Sequence, residues 1–225
     1  MIEVKTPVMR SAAHRSHTDL GASFERRGAW EVAASYGSES RETQAINAGL
    51  AVADISARGK LHLSGSIDAL VSRMTGGAVE PTRAAAITSG GVVARVARDF
   101  ALALFEPSAE TDALAAVEGE LSGDAMATDM TSALSGFLVA GPHVKQLFAR
   151  SLTVDVEEIQ PGRCLPTRWA HIPAILVVST LSTPLVEIYV GSEYGRYAWR
   201  TLVELGERLG GVPVGWTALE AAGWR

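Results

Sequence analysis

Residues 30–65 begin Trp30-Glu31-Val32-Ala33-Ala34-Ser35-Tyr36-Gly37-Ser38, run through Glu39 to Ala48, and continue Gly49-Leu50-Ala51-Val52-Ala53-Asp54-Ile55-Ser56-Ala57-Arg58-Gly59-Lys60-Leu61-His62-Leu63-Ser64-Gly65. Ser38 is a good N-cap, Arg41 and Glu42 read as solvent-facing, and Gly49 is a natural stop, so a helix is predicted from Ser38 to Ala48. Leu50 to Asp54 and Lys60 to Leu63 follow as strands. Polar and apolar residues alternate in Lys60-Leu61-His62-Leu63, which predicts a half-buried strand. Ser64-Gly65-Ser66 turns the chain into a short helix over Ile67 to Met74. Each element is ordinary alone, and the information lies in their order and spacing.

Towards the N-terminus the first thirty residues read as polar and helix-like, with Leu20 and Phe24 at helical spacing and Gly28 ending the stretch. Towards the C-terminus β signals dominate. Ala84–Thr88 and Gly91–Ala97 flank the turn Ser89-Gly90, and Phe100–Phe105 extends them. Pro107-Ser108 opens a helix to Leu121, then Asp124–Asp129 and Leu134–Ala140 are strands. Gly141-Pro142 starts a helix to Arg150. Three more strands follow at 163–170, 174–179 and 185–190. A last helix spans 193–209, closed by Gly210-Gly211 and Pro213. Helices among antiparallel hairpins give an α+β fold of antiparallel sheets with packed helices. No solenoid repeat or low-complexity linker divides the chain. Residues 1–225 therefore read as one region, divisible at most into two intertwined subdomains.

Hydrophobic residues make up 47% of the 225 and charged residues 20%, a globular balance. A net charge of −5 without a basic run argues against nucleic acid, whose binding needs Lys and Arg on the phosphates. The single cysteine, Cys164, excludes an internal disulfide and reads as a small buried apolar residue. Residues 1–5 have no signal-peptide character, and no apolar run reaches a bilayer's thickness, so the expectation is a cytoplasmic protein without membrane attachment. His14 and His17 lack clustered partners, so no metal is expected. There is no Walker loop or Gly-x-Gly-x-x-Gly, and Ser135-Gly136 lacks the flanks of a nucleophile elbow.

The series Trp30-Glu31, Tyr36-Gly37, Glu42, Gly49-Leu50 and Ala53-Asp54-Ile55-Ser56-Ala57-Arg58-Gly59-Lys60 resembles the opening of the aminomethyltransferases (glycine cleavage T proteins). The likeness resumes at Gly141-Pro142, at Thr167-Arg168-Trp169-Ala170-His171-Ile172-Pro173, and from Gly211 to Glu220. The sequence ends at Arg225, so no counterpart of the family's C-terminal barrel is expected. In length, and in its Thr-Arg-x-Ala stretch, the chain is similar to the small gamma subunit of heterotetrameric sarcosine oxidase. The Lys-Gly-Cys motif of the iron–sulfur branch is absent.

The resemblance implies a folate-binding-domain fold, tetrahydrofolate or its 5,10-methylene form as cofactor, and one-carbon transfer chemistry. It also implies a partner, either a larger flavoprotein subunit or a second copy. The family's catalytic acid lies in a Gly-Gly-Ile-x-Asp-Asp strand, matched here by Gly90-Gly91-Val92-Val93-Ala94-Arg95, which puts Arg95 at the catalytic place. Glu187 matches the pterin-binding glutamate, past a turn replaced by Ser182-Thr183-Pro184-Leu185. Thr82 stands for a pocket tyrosine, Arg58 lies in a histidine–methionine region, and Leu219 replaces an arginine. On an extended strand Arg95, Ala97 and Asp99 share a face. On that basis Asp99 is the candidate replacement acid, and Arg58 and Arg95 the anion-attracting pair. Three readings follow: a transferase using Asp99, a non-catalytic gamma-type subunit of an amine-demethylating oxidase, or a binder of another heteroaromatic acid.

Overall fold

The computed structural model describes residues 7–179 and 184–224. Two antiparallel-rich sheets lie face to face, with helices on both outer sides. The five-stranded sheet runs Arg83–Ala86, Val92–Ala97, Phe100–Phe105, Gly59–Ser64, Met126–Asp129. The six-stranded sheet runs Cys164–Trp169, Ile172–Val178, Leu185–Gly191, Leu134–Ala140, Ala51–Asp54, Val212–Pro213. Each contains a strand–helix–strand–strand–helix–strand unit. In the first, helices Asp68–Thr75 and Glu110–Glu118 follow the first and third of its core strands. In the second, Val144–Phe148 and Gly195–Glu207 do the same, and Ala51–Asp54 is inserted beside the edge.

Strand alternation sorts the side chains into three cores. Ala53, Leu138, Leu185 and Tyr189 from one sheet meet Ala94, Leu102 and Leu104 from the other in the layer between the sheets. Phe137, Val139, Val186 and Ile188 turn outward onto Phe148, Trp169 and Trp199. Leu61, Leu63, Val93, Ala101 and Ala103 turn outward onto Leu70, Val71 and Val117. Both faces of each sheet are thus covered, which is why residues 134–140 and 185–191 read as nearly unbroken apolar runs.

The helix from Glu39 to Ala48 forms as expected, with the Ser38 side chain accepting from Arg41 N at 3.4 Å. Glu42, expected in solvent, is buried. Its carboxylate accepts from Tyr36 N at 2.8 Å, Ser35 Oγ at 2.7 Å and Gly215 N at 2.7 Å, tying that helix to the far end of the chain. The N-terminal expectation fails more widely. Among the described residues of this stretch only His14–Asp19 is helical, while Ser23–Arg27 and Trp30–Ser35 form a hairpin joined by Met9–Arg10 into a third, three-stranded sheet. Phe24 therefore sits on a strand, and the four-residue gap to Leu20 carries no helical meaning. The short strand Val212–Pro213 and the helix Trp216–Ala221 also went unpredicted.

Candidate functional site

The inner face of strand Leu185–Gly191 carries Leu185, Glu187 and Tyr189, two residues apart and therefore on one side. Glu187 is 6% exposed and faces the layer between the sheets. Arg58 sits in the turn after Ala51–Asp54, where its backbone N–H bonds Ile55 O at 2.9 Å, and is 3% exposed. Its Nη1 forms an ion pair with Glu187 Oε1. Tyr189 Oη donates to Glu187 Oε2 at 2.5 Å, and Trp224 Nε1 donates to Oε1 at 3.3 Å. Tyr189 reaches this position because Gly136 lies opposite it in the paired strand, where a Cβ would meet the ring at 2.9 Å.

Burial opposes the charge of Arg58, but the Glu187 carboxylate outweighs it and raises the guanidinium above its ordinary value. Burial, reinforced by the Glu187 charge, pushes the Tyr189 hydroxyl well up, so it remains a donor. The carboxylate is thus neutralised and bonded on both oxygens by the chain's own groups. Arg58 Nε is buried without a partner among the described residues.

Trp224 is placed by the end of the helix Trp216–Ala221. Trp224 N bonds Leu219 O at 3.0 Å and Gly223 N bonds Glu220 O at 2.9 Å, with Gly223 at φ +82°. This is the Schellman closure, and its left-handed residue has to be glycine or pay a steric penalty. The indole packs edge-on against Trp216 with centroids 5.3 Å apart, and the Arg58 guanidinium lies 5.3 Å from its own ring centre. Arg58 and Trp224 line two cavities. One of about 280 Å³ is bounded by Glu187, Ala84, Ala86 and Val92. The other, of about 440 Å³, opens past Arg27, Glu106 and Trp216.

Of the five residues singled out from sequence, Glu187 and Arg58 come together. The other three lie elsewhere. Arg95 pairs in register with Ala101, whose side is the helix-covered outer face, so it points away from Glu187. There it binds Asp68 and the carbonyls of Arg98 and, at 3.1 Å, Val79. The inner-facing neighbour is Ala94, which is fully buried. Asp99 is not on the strand. The strand ends at Ala97 after a register shift, and Asp99 occupies an exposed turn, so the shared-face argument for it does not hold. Thr82 sits where the two sheets cross. Its carbonyl accepts from Cys164 N at 2.9 Å and its Oγ1 from Arg163 at 3.2 Å. Ser182 and Thr183, part of the replaced turn, lie outside the described residues. Leu219 is buried in the inner core.

Two buried polar groups escaped the sequence reading. His17 Nε2 bonds Asp54 Oδ2 at 2.8 Å and its Nδ1 faces Tyr36 Oη at 2.7 Å, fastening the N-terminal helix to the core. Burial would raise the Asp54 carboxyl, but the bonds from His17, Ser11 and Ser56 outweigh it and hold it below the usual carboxylate range. Lys60 is fully buried, its Nζ bonded to Ser56 O at 2.9 Å and Arg58 O at 2.5 Å, and burial pushes its ammonium down to about 7. Cys164 is buried as expected, its thiol pushed up by burial to about 12. Among the described residues no helix is long and apolar enough to cross a membrane.

The chain is 25% identical to the aminomethyltransferase of Streptomyces coelicolor over 93% of its own length and 60% of that protein's. It superposes on the glycine cleavage aminomethyltransferase of Bartonella henselae with a TM-score of 0.80 at 14% identity, covering 94% of this chain and 60% of that one. It also superposes on a chain of the heterotetrameric sarcosine oxidase of Corynebacterium sp. U-96, with a TM-score of 0.63 at 19% identity. That match covers 78% of this chain and 94% of the other. The chain thus spans 60% of the length of the aminomethyltransferases it matches. With residues 13–222 matching the model of the GCVT N-terminal domain, the chain belongs to that family.

Proposed function

We propose that this protein is a non-catalytic, gamma-type member of its family: a folate-pocket fold closed by its own side chains, serving as the small scaffold subunit of an amine-demethylating flavoprotein assembly. The observation that carries this reading is the Glu187–Arg58 ion pair. A pterin edge is recognised when a free carboxylate accepts parallel N–H bonds. Here both oxygens already accept from Arg58, Tyr189 and Trp224. Tetrahydrofolate therefore does not fit the residues as they stand. The sheet face turned towards Glu187 offers Ala94 rather than an acid. The match over 94% of one chain of a heterotetrameric oxidase supports the partner half of the reading.

A second reading, tetrahydrofolate binding with transferase activity, is favoured by Glu187 facing a cavity at all. Calorimetric titration of the wild type with tetrahydrofolate and its 5,10-methylene form separates the two. The scaffold reading expects no saturable heat at millimolar ligand. It also expects a tagged chain to be recovered from its host with a flavin-bearing chain at fixed stoichiometry, followed by flavin absorbance. Saturable binding lost in Glu187→Ala would replace the first reading with the second.

A further inference from the structure

We infer that the hairpin tip Ala170-His171, with Arg168, Tyr194, Tyr197 and two flanking arginines, is a docking surface for an acidic face of another protein. The identity of that protein, a flavin-bearing chain, rests on the proposed function. The chemistry of the surface does not.

The strands Cys164–Trp169 and Ile172–Val178 pair Trp169 with Ile172, so Ala170 and His171 make the turn between them. Both stand in the left-handed region, at φ +44° and +69°, as a type I′ turn requires. Glycine adopts that shape freely, whereas an alanine beside a histidine does so against steric resistance. Such a turn persists where its surroundings over-determine it, and strain of this kind gathers at functional surfaces. Here three bonds hold it. Ala170 N donates to Ser151 O at 2.8 Å, Tyr197 Oη to Ala170 O at 3.0 Å, and an Arg168 N–H to His171 O. The His171 imidazole is thereby carried, exposed, on a fastened tip.

The surface around the tip is apolar and basic together. Of the six large apolar side chains exposed among the described residues, three lie here. Tyr197 reaches the tip through its hydroxyl, and Tyr194 is its neighbour three residues earlier. Val154 follows Thr153, whose N–H bonds Arg168 O at 3.2 Å. Arg150 precedes Ser151 and Arg196 precedes Tyr197, and both are exposed. Arg150, Arg168 and Arg196 form no ion pair among the described residues, whereas Arg200 is matched by Glu204 at 3.7 Å. The acids beside them are fewer: Asp155 accepts from Glu157 N at 2.9 Å, which leaves Glu193. On a chain of net charge −5 this is a local field of the opposite sign. Exposed tyrosine and arginine on a rigid support have the composition of an interface centre. The unpaired arginines select an acidic face, and the overall negative charge disfavours nucleic acid. A two-fold contact with a second copy would set these arginines against themselves.

The test titrates the full chain with two probes at about 0.05 M salt: the flavin-bearing chain recovered with it, and poly-L-glutamate. Arg150→Glu, Arg196→Glu reverses two exposed charges that the fold leaves unpaired. Arg73→Glu, Arg98→Glu makes the same change of charge on the side of the five-stranded sheet and serves as control. The patch variant is expected to bind both probes about 10-fold or more weakly than the wild type, and the control to stay within about 2-fold. Raising salt to about 0.5 M should narrow the gap between wild type and patch variant. Tyr194→Ala, which changes no charge, should lose about 10-fold with the flavin-bearing chain and carries the comparison if the patch variant does not fold.

Equal affinity of wild type and patch variant overturns the inference, as does an equal loss in patch variant and control. So does a flavin-bearing chain that still binds the patch variant fully, because it then docks elsewhere. Self-association lost in the patch variant would assign the surface to a second copy instead, and tighter binding of duplex DNA than of poly-L-glutamate would assign it to nucleic acid. A wild type that recovers no flavin-bearing chain refutes the proposed function, and poly-L-glutamate then decides the surface by itself.

Discussion

Removing Arg58 tests the closed-site argument most directly. Arg58→Met keeps the stem and its packing but leaves Glu187, 6% exposed, with only Tyr189 and Trp224 as donors among the described residues. Two unit charges about 4 Å apart at an effective dielectric near 20 attract by about 4 kcal/mol. Breaking a buried pair by removing one partner costs about 3–5 kcal/mol, because the remaining charge stays desolvated. We therefore expect Arg58→Met to lose about 3–5 kcal/mol of unfolding free energy. Glu187→Gln should lose a similar amount, since it strands a buried guanidinium that cannot shed its charge.

The combined variant Arg58→Met, Glu187→Gln removes both charges. Replacing a whole buried pair is often nearly neutral, so it should be more stable than either single variant, with a coupling energy of about 3 kcal/mol or more. Urea unfolding at neutral pH, followed by far-ultraviolet circular dichroism and tryptophan fluorescence together, gives the four free energies. Coincident transitions license the two-state treatment. If Arg58→Met costs under about 1 kcal/mol, or if the two losses simply add, the carboxylate does not depend on Arg58. It would then be free for a ligand, and the scaffold reading would lose its main support.

Lys60 predicts a rise of stability with pH. Its folded value, about 7 against an ordinary 10.5, means the unfolded chain binds more protons between those limits. Stability should therefore climb across that window and stay flat below it, by about 4–5 kcal/mol in all. Lys60→Met should lack the climb when both proteins are melted from pH 7 to pH 10, and parallel curves would refute it. Asp54 acts in the opposite window. Its depressed carboxyl contributes stability above the unfolded value that is lost as pH falls through the folded one. Acid unfolding of Asp54→Asn should accordingly be shallower than that of the wild type. Gly223→Ala forces a Cβ into φ +82° at a cost of about 1–2 kcal/mol. It should also loosen Trp224, seen as a red shift and easier quenching of tryptophan fluorescence.

The parts of the fold legible in the sequence were those set by local chemistry. Leu134–Ala140 was read at both ends because an apolar run lies between turn residues, and Glu39–Ala48 because Ser38 and Gly49 bracket it. The N-terminal hairpin was lost because two apolar residues four apart fit a helix or a strand equally, and the strands are defined by pairing with each other. Glu42 was misplaced for a related reason. One of its partners, Gly215 N, lies 173 residues away, and no local rule reports such a donor. Lys60 looked exposed because alternation sorts faces but does not say whether a second sheet covers the polar one.

The site shows how sharply one position matters. Strand faces alternate at every residue, so a motif match that fixes the strand but not the facing residue leaves two opposite outcomes. Gly90 to Arg95 runs into the strand Val92–Ala97, where Ala94 faces the layer between the sheets and Arg95 faces the helices. The same rule, applied to Glu187, would have found Tyr189 two residues on. Trp224 was beyond reach, because it depends on a helix that sequence did not reveal and on a six-residue closure at its end. The groups that close the pocket thus arrive from three places: a turn at Arg58, a strand at Tyr189 and a capped helix at Trp224. A carboxylate met from three independent elements cannot be freed by one small backbone movement.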